Sequence, residues 1–385
     1  MKRYKKILRF AFIIGFSFVV SPAVAQVYTD TLTPEESIAL QKRLQKELKR
    51  TEQKVKLQIL PMLYYTPETR LAFGASAMVS FTFNSSDSLL KFSTITPSFV
   101  YTLNKQMLAQ VGFDLQLNRK WMLNGKLGYF IYPYFFAGIG NTHDGSYREW
   151  YDANYPVLAT NLYRYVYENT ISVGVRYKYQ NTQITSISDS LLRDGNVPGS
   201  EGSIQSILGF GIRYDARDFL FSATKGWFID FSTCWANNAL GSTYQDQYSS
   251  LDIRKYISLT PKKDILALQL YSEVHSGEVP FNLMAMLGGD KMMRGYQKGV
   301  YRDRQMVVGQ IEYRSRLFLK YLTAAAFFNY GSIGGDFKAT FSHFRYTYGG
   351  GLRFTPTPEN RYFIRVDYAR GVETQGFYVG VGEAF

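Results

Sequence analysis

The sequence predicts an all-β fold: a transmembrane barrel of sixteen antiparallel β-strands with a short helix in front of it. Three observations carry this prediction. The chain opens with an export signal, apolar and polar residues alternate with a period of two from Leu57 to Phe385, and 17% of its 385 residues are aromatic. Such alternation is typical of strands whose two faces meet different surroundings. A mean hydropathy of −0.19 shows that apolar residues are interleaved with polar ones, which argues against a bundle of transmembrane helices.

Residues 1–25 have the three parts of a secretory signal peptide. Four cations lie in the first six residues, Ile7 to Val20 is almost wholly apolar, and Ala23-Val24-Ala25 precedes Gln26. A retained membrane anchor is the less favoured alternative, because the apolar run is shorter than the ~20 residues that a spanning helix needs. No Cys follows the run, so a lipoprotein is not expected. The mature chain is expected to begin at Gln26.

Residues 26–56 are predicted to form a periplasmic segment with a short, basic, amphipathic helix. Thr33 is a suitable N-cap, and Pro34 and two glutamates follow it in the first turn. The helix is predicted over Pro34 to Lys56, with leucines on a narrow stripe. It could be a solvated helix, which is the favoured reading, a plug inside a pore, a coiled-coil contact, or a cationic face on anionic lipid.

Residues 57–385 are predicted to form the barrel. A soluble sandwich would also show alternation, but the signal peptide, the number of strands and the Tyr and Phe residues near strand ends favour a membrane barrel. Such a barrel turns its apolar face to lipid and its polar face to the lumen. The strands are predicted near 57–65, 70–83, 91–102, 106–117, 121–132, 150–162, 169–180, 204–215, 226–236, 248–260, 264–276, 305–317, 321–331, 345–354, 361–370 and 375–385.

The connections between these strands differ in length at the two ends of the barrel. Several that follow odd-numbered strands are long, and most that follow even-numbered strands are short. Bacterial barrels have short periplasmic turns and long extracellular loops. The pattern therefore sets the orientation, with the short turns on the periplasmic side, and the chain is expected in the outer membrane of a Gram-negative bacterium. The long connections are 133–149, 181–203, 277–304 and 332–344, and the short ones include 118–120, 261–263 and 318–320.

The composition gives little support to catalysis, metal binding or nucleic-acid binding. The net charge is +13, but more than half of this excess lies before Leu57 and no basic stripe follows. Cys234 is the single cysteine, and the three histidines are far apart. No nucleophile-elbow, metal-ligand or phosphate-loop motif is present, so no cofactor is expected. A barrel hydrolase that uses His275 and Glu273 is the remaining enzymatic alternative, and a hydrogen-bond network in the lumen is favoured over it.

The longest connection, 277–304, contains GGDKMMRGYQKGVYRDR. Gly288, Gly289 and Gly295 permit tight turns, so this loop can fold back into the lumen. Arg294 would then need acidic or amide partners there. The alternation of the next strand places Gln310, Glu312, Arg314 and Arg316 on the lumen face, opposite Ile311, Tyr313 and Leu317. Glu312 is therefore the leading candidate partner of Arg294.

The chain resembles the BamA/TamA-type barrels of the bacterial surface-antigen superfamily, which have sixteen strands. Arg294-Gly295-Tyr296, after Gly288-Gly289, is similar to the signature of the sixth loop in that family. YDARDFLFSATKGW, from Tyr214 to Trp227, is similar to a hairpin of the family, and GFYVGVGEAF, from Gly376 to Phe385, is similar to its closing strand. The resemblance covers the whole barrel.

The resemblance implies roles for several residues. In the family the loop-six arginine is held in the lumen by acidic positions on strands twelve and thirteen, which correspond here to Glu312 and to Asn329, an amide where the family has an aspartate. Family assembly factors also carry periplasmic POTRA domains of ~75 residues, and none fits between Gln26 and Leu57. A periplasmic or outer-membrane assembly partner is therefore expected, in addition to outer-membrane lipid and lipopolysaccharide.

The resemblance also implies a seam between the first strand, near Leu57 to Tyr65, and the last. Gly376, Gly380 and Gly382 would weaken pairing there. Phe385, after outward-facing Phe377, Val379 and Val381, resembles the insertion signal of outer-membrane barrels, and Glu383 is expected to be an interfacial charge. The predicted function is to assist insertion or translocation of proteins at the outer membrane. The alternative is a passive pore or a structural barrel without assembly activity.

Overall fold

A computed structural model describes residues 55–83, 92–143, 145–219, 222–259, 264–316, 321–355 and 363–385. Within these residues sixteen antiparallel strands form one closed barrel, in which each strand pairs with its neighbours along the chain and the last strand meets the first. The strands are β1 (Val55–Thr66), β2 (Arg70–Phe81), β3 (Ser93–Thr102), β4 (Met107–Gln116), β5 (Trp121–Phe136), β6 (Glu149–Tyr167), β7 (Ile171–Ile187), β8 (Ser203–Asp215), β9 (Gly226–Ala236), β10 (Asp246–Ser258), β11 (Ile265–His275), β12 (Gln305–Arg316), β13 (Leu322–Gly334), β14 (Arg345–Phe354), β15 (Ile364–Gly371) and β16 (Thr374–Val381). The predicted fold class is confirmed.

The two faces of each strand follow the alternation of the sequence. In β12 the side chains of Ile311 and Tyr313 are 41% and 40% exposed on the outside of the barrel, whereas Gln310, Glu312 and Arg314 are buried inside. Apolar residues on the outer face and polar residues on the inner face are the arrangement expected of a barrel in lipid. In the described residues no helix is long and apolar enough to cross a membrane.

Several boundaries differ from those predicted. β6 extends five residues beyond the predicted end at 162, and β7 continues to Ile187. The register of this pair shifts at two places, as at a β-bulge, which breaks the strict period of two on which the prediction rested. β1 begins at Val55, so Val55 and Lys56 belong to a strand and not to the predicted helix. The rest of that helix and the signal peptide lie outside the described residues.

Long and short connections lie at opposite ends of the barrel, which are called here the long-loop end and the short-turn end. The loops at the long-loop end include two four-residue helices, α1 (Ser190–Arg193) and α2 (Phe337–Thr340), and a 3₁₀ turn at Asn238–Leu240. Loop six, residues 276–304, contains two short paired segments, Ala285–Met286 and Arg302–Asp303.

Loop six folds into the lumen and builds an apolar core at the long-loop end. Its side chains pack against β5, β6, β12 and β13 and against α1. The buried residues of this core are Tyr134, Phe135, Phe136, Ala137, Tyr151, Ala153, Leu192, Phe281, Ala285, Leu287, Met293, Tyr296, Val300, Tyr301, Met306, Val308 and Ile333. Because apolar side chains fill this part of the lumen, loop six closes the barrel at the long-loop end.

Candidate functional site

The tip of loop six rests on the last strands of the barrel. Gly295 has φ of 112°, and a Cβ there would lie 3.0 Å from Cγ2 of Thr347 on β14, so glycine is required both for the backbone conformation and for the close approach. The amide of Gly295 donates to the Tyr378 hydroxyl at 2.9 Å, and its carbonyl accepts from Thr374 Oγ1 at 2.8 Å. Both partners are on β16. The motif thus ties loop six to the strand that closes the barrel.

Arg294, next to this glycine, lies in a fully buried ionic site. Its Nη2 donates to Glu312 Oε2 at 2.5 Å and its Nη1 to Asp367 Oδ2 at 2.6 Å, and all three side chains have no exposed surface. The guanidinium lies over the ring of Phe327, 3.5 Å from its centroid. A planar guanidinium suits this geometry, because it can serve two carboxylates while its face stacks on an aromatic ring. The structure therefore places Arg294 against Glu312.

Three more arginines and two more acids extend the site. Arg314 and Arg353 both contact Glu312, at 2.7 and 3.3 Å, and both contact Glu383, at 3.5 and 3.1 Å. Arg353 also pairs with Asp367. Arg365 lies 3.6 Å from Asp367 and 3.1 Å from Asp290 of loop six. The four guanidinium groups thus face four carboxylates, which we call the ionic cluster, so no net charge is left uncompensated.

Two expectations from the sequence differ from this arrangement. Asn329 does not hold Arg294: its Nδ2 donates to Thr347 at 2.8 Å, and the second acid comes from Asp367 on β15. Glu383 is not an interfacial charge, because its carboxylate is 8% exposed and belongs to the ionic cluster. Sequence reasoning missed Asp367 and Arg353. Charged residues at inward positions of the last strands were the signal that could have indicated them.

Loop six is held at two further places. The amide of Lys298 donates to Glu68 in the β1–β2 turn at 2.6 Å, and its carbonyl accepts from the Tyr134 hydroxyl at 2.5 Å. Burial raises the pKa of the Glu68 carboxyl above its usual range. Arg302 is fully buried and donates to the carbonyls of Phe135 at 2.9 Å and Phe281 at 3.3 Å. Anchors on β5, the first turn and β16 fix the loop across the lumen.

The seam between β1 and β16 is much shorter than the other strand contacts. Tyr65↔Val379 is its one register pair among the described residues, whereas β1 pairs with β2 along its whole length from Val55↔Phe81 to Thr66↔Arg70. On the side that faces β16, most of β1 therefore has no paired strand among the described residues. An edge of this kind presents unpaired backbone groups that can template another strand.

The last four residues explain why the seam is short. β16 ends at Val381, and Gly382 takes φ of 82°, so the chain leaves the wall there. Phe385 is 7% exposed in a cluster with Tyr256 and Ala267, and its carbonyl accepts from Arg314 Nη2 at 3.0 Å. Phe385 thus lies inside the lumen and does not continue the outward face of β16. Its role as an insertion signal stays a prediction, as does the role of Gly376 and Gly380, which lie within β16.

His275 lies in a separate lumen cavity of about 240 Å³. Its Nδ1 lies 2.5 Å from Asp246 Oδ2 and its Nε2 lies 3.3 Å from Glu273 Oε1. Both ring nitrogens thus have carboxylate partners, as in a structural hydrogen-bond network. Among the described residues no group of three His, Cys, Asp or Glu side chains has the geometry of a metal site.

Comparisons with known proteins agree with this architecture. Residues 72–385 match the Omp85 superfamily domain. A search of curated proteins found no match. Among solved structures, the chain is similar to BamA from Haemophilus ducreyi lacking POTRA domains 1–3, with 13% identity and a TM-score of 0.61 over 85% of this chain and 70% of that one.

Two CdiB structures are also similar. For CdiB from Acinetobacter baumannii the identity is 14% and the TM-score 0.54, over 86% of this chain and 60% of that one. For CdiB from Escherichia coli the identity is 12% and the TM-score 0.59, over 86% of this chain and 63% of that one. The chain thus spans less than two thirds of either CdiB chain. At these identities the likeness shows the fold, and the match to the family domain covers most of the sequence. The chain therefore belongs to the Omp85 superfamily and is an outer-membrane β-barrel of a Gram-negative bacterium.

Proposed function

We propose that this barrel assists the insertion or translocation of proteins at the outer membrane, and that the β1 edge at the seam receives an extended client strand. The observation that carries the proposal is the single register pair between β1 and β16. In a barrel that served structure alone, full pairing of the closing strands would remove this edge. Here most of the side of β1 that faces β16 has no paired strand within the part of the chain that the structure describes.

The chemistry of the β1 edge fits a strand of another outer-membrane barrel. Leu57, Ile59 and Leu63 are 63%, 69% and 62% exposed, and they are on the outer face of β1. A client strand that paired with β1 would gain backbone hydrogen bonds, and its own apolar residues would continue this outer face. The recognised feature would be a period-two alternation, not a particular sequence.

The closed lumen supports a lateral route over an axial one. Loop six fills the long-loop end, and the ionic cluster and Phe385 also lie in the lumen. A polypeptide that crossed along the barrel axis would have to displace all of these. A client that enters at the seam has to displace far less. A periplasmic or outer-membrane partner that delivers the client is part of this proposal.

A disulfide that locks the seam tests the proposal. If the register of Tyr65↔Val379 continues, Leu63 and Val381 form the next outward-facing pair. The locked variant carries Leu63→Cys and Val381→Cys in a Cys234→Ala background. We expect cells that carry only the oxidised variant to resemble cells depleted of this protein, with reduced levels of client barrels in the outer membrane. Reduction of the disulfide should restore these levels, because it lets β1 separate from β16 at the seam. The measurement is quantitative proteomics of outer membranes after depletion of the chromosomal copy.

The matched control is a disulfide between two strands that are already fully paired. Phe73 and Tyr101 are opposite each other on β2 and β3, so Phe73→Cys with Tyr101→Cys adds a cross-link without closing the seam. This variant should support normal client levels in both redox states. The proposal fails if the locked seam supports normal levels too, or if depletion itself leaves every barrel unchanged.

A further inference from the structure

A shallow groove crosses the outer face of the barrel from β9 to β13. Its volume is about 440 Å³, within the usual range of ligand sites. The lining is mostly apolar and aromatic, with Gln269 and Gln310 as polar residues and Lys255 as its one charged residue. The residues that matter for the argument are Trp227, Lys255, Leu268, Gly309, Ile311 and Phe328.

The groove extends from the short-turn end of the barrel to the middle of the barrel wall. Trp227, Lys255, Leu268, Ile311 and Phe328 are successive register partners on five adjacent strands. Trp227 is the second residue of β9 from the short-turn end, whereas Phe328 is the seventh of β13. The charged end of the groove is therefore near the membrane interface, and its apolar end is deeper in the hydrocarbon.

On this surface the ammonium of Lys255 makes a cation–π contact with the ring of Trp227. Its Nζ lies 4.4 Å from the centroid of the Trp227 ring, and no carboxylate of the described residues forms an ion pair with it. A lysine on the lipid face of a barrel is costly at mid-membrane and tolerated near the interface. Its position, three residues from the end of β10, lies about 10 Å along the strand from that end. An anion in the membrane would therefore find an uncompensated positive charge here.

Gly309 forms the floor of the groove. A Cβ at this position would meet no atom closer than the carbonyl oxygen of Tyr330 at 3.7 Å, and φ of Gly309 is not positive. Packing and backbone conformation within the barrel therefore do not require glycine. What a side chain at 309 would change is the groove itself, which it would fill.

The geometry points to a binding site for one anionic phospholipid. Its phosphate pairs with Lys255, its headgroup lies beside the Trp227 ring, and one acyl chain follows the groove across Gly309. Because short turns of bacterial barrels face the periplasm, the lipid comes from the phospholipid leaflet and not from lipopolysaccharide. A larger groove of about 690 Å³ over β1 to β5 has no charged side chain in its lining and so lacks a headgroup anchor. This site does not depend on the proposed function of the seam.

Native mass spectrometry of the full chain in mild detergent tests the site. After delipidation and titration with phosphatidylglycerol, we expect one tightly bound lipid per wild-type barrel. Lys255→Gln removes the charge and should weaken binding by about five-fold, the effect of one cation near a membrane surface. Gly309→Leu fills the groove and should also weaken binding. Lys255→Arg should bind as the wild type does.

Two variants serve as controls for altered lipid contact in general. Ala109→Leu fills the uncharged groove, and Arg164→Gln removes a cation whose guanidinium lies 5.7 Å from the Trp121 ring, outside the Lys255 groove. Both should retain wild-type binding. Heat-modifiable migration in gels shows whether each variant is folded. If Gly309→Leu does not fold, the binding of Lys255→Gln alone decides the result. Equal binding by Lys255→Gln, equal affinity for zwitterionic phosphatidylethanolamine, or preferential binding of lipid A would each overturn the site.

Discussion

Replacing Arg294 by alanine is expected to destabilise the folded barrel by about 3 kcal/mol, at the lower end of the cost of breaking a buried ion pair. The lower end applies because neither acid becomes isolated. Glu312 keeps Arg314 at 2.7 Å, and Asp367 keeps Arg365 at 3.6 Å. The loss should appear as a lower midpoint of heat modification in gels. The stability of Arg294→Lys should fall between those of the wild type and Arg294→Ala. Lysine keeps the charge but not the bidentate geometry or the stacking on Phe327.

The same substitution should open the lumen. Wild-type protein in planar bilayers is expected to be mostly closed, because loop six fills the long-loop end. Arg294→Ala removes the ion pairs that join loop six to Glu312 on β12 and to Asp367 on β15, so we expect frequent openings. Arg164→Ala on the outer face is the control and should change neither stability nor conductance. A steady open channel in the wild type would instead favour the passive pore.

Replacing Gly382 by valine is expected to move the last residues of the chain from the lumen into the wall. A β-branched residue at φ of 82° is strained by ~1–3 kcal/mol. Burial of the Phe385 side chain contributes ~1.5–3 kcal/mol to the inward position. Because these two effects are similar in size, Gly382→Val should populate both positions, and the further change Phe385→Ala should favour the wall.

Disulfide trapping can measure this redistribution. If β16 continued in the register of Tyr65↔Val379, Ala384 would lie opposite Leu60 on β1. In a Cys234→Ala background, Leu60→Cys with Ala384→Cys should cross-link weakly with Gly382 present and roughly half of the molecules should cross-link with Gly382→Val. Gly241 is the matched control, since it has φ of 88° and, like Gly382, open space around its Cβ position. If Gly241→Val raised the cross-linking equally, or Gly382→Val left it unchanged, Gly382 would not be the residue that directs the chain inward.

Much of the barrel could be predicted from the sequence because the alternation of a strand is local. Residues two apart share a face, so the lumen position of Glu312 and the outward position of Ile311 follow from one segment of sequence. The prediction was less accurate for β6 and β7, where register shifts interrupt the period. The glycines around Arg294 indicated a loop that can fold inward, and Glu312, the acid indicated as its partner, lies against it.

The rest of the site depends on which strands become neighbours and where the chain leaves the wall. Asp367 reaches Arg294 because β15 lies beside β14 and loop six crosses the lumen, and the two residues are 73 positions apart. Asn329 was expected in that place from the family resemblance, whereas its amide donates to Thr347. The inward turn at Gly382 was also missed, since a glycine within an alternating segment is compatible with both a strand and a turn.

The sequence by itself determined the class of fold, the outer-membrane location and the face on which each strand residue lies, because these follow from short-range periodicity and from composition. Tertiary structure alone decided which residues join Arg294 and Glu312 in the ionic cluster, how few residues pair across the seam, and that Phe385 lies in the lumen. These features arise from contacts between distant segments, whose free energies depend on burial and on closure of the whole barrel. No local pattern specifies them.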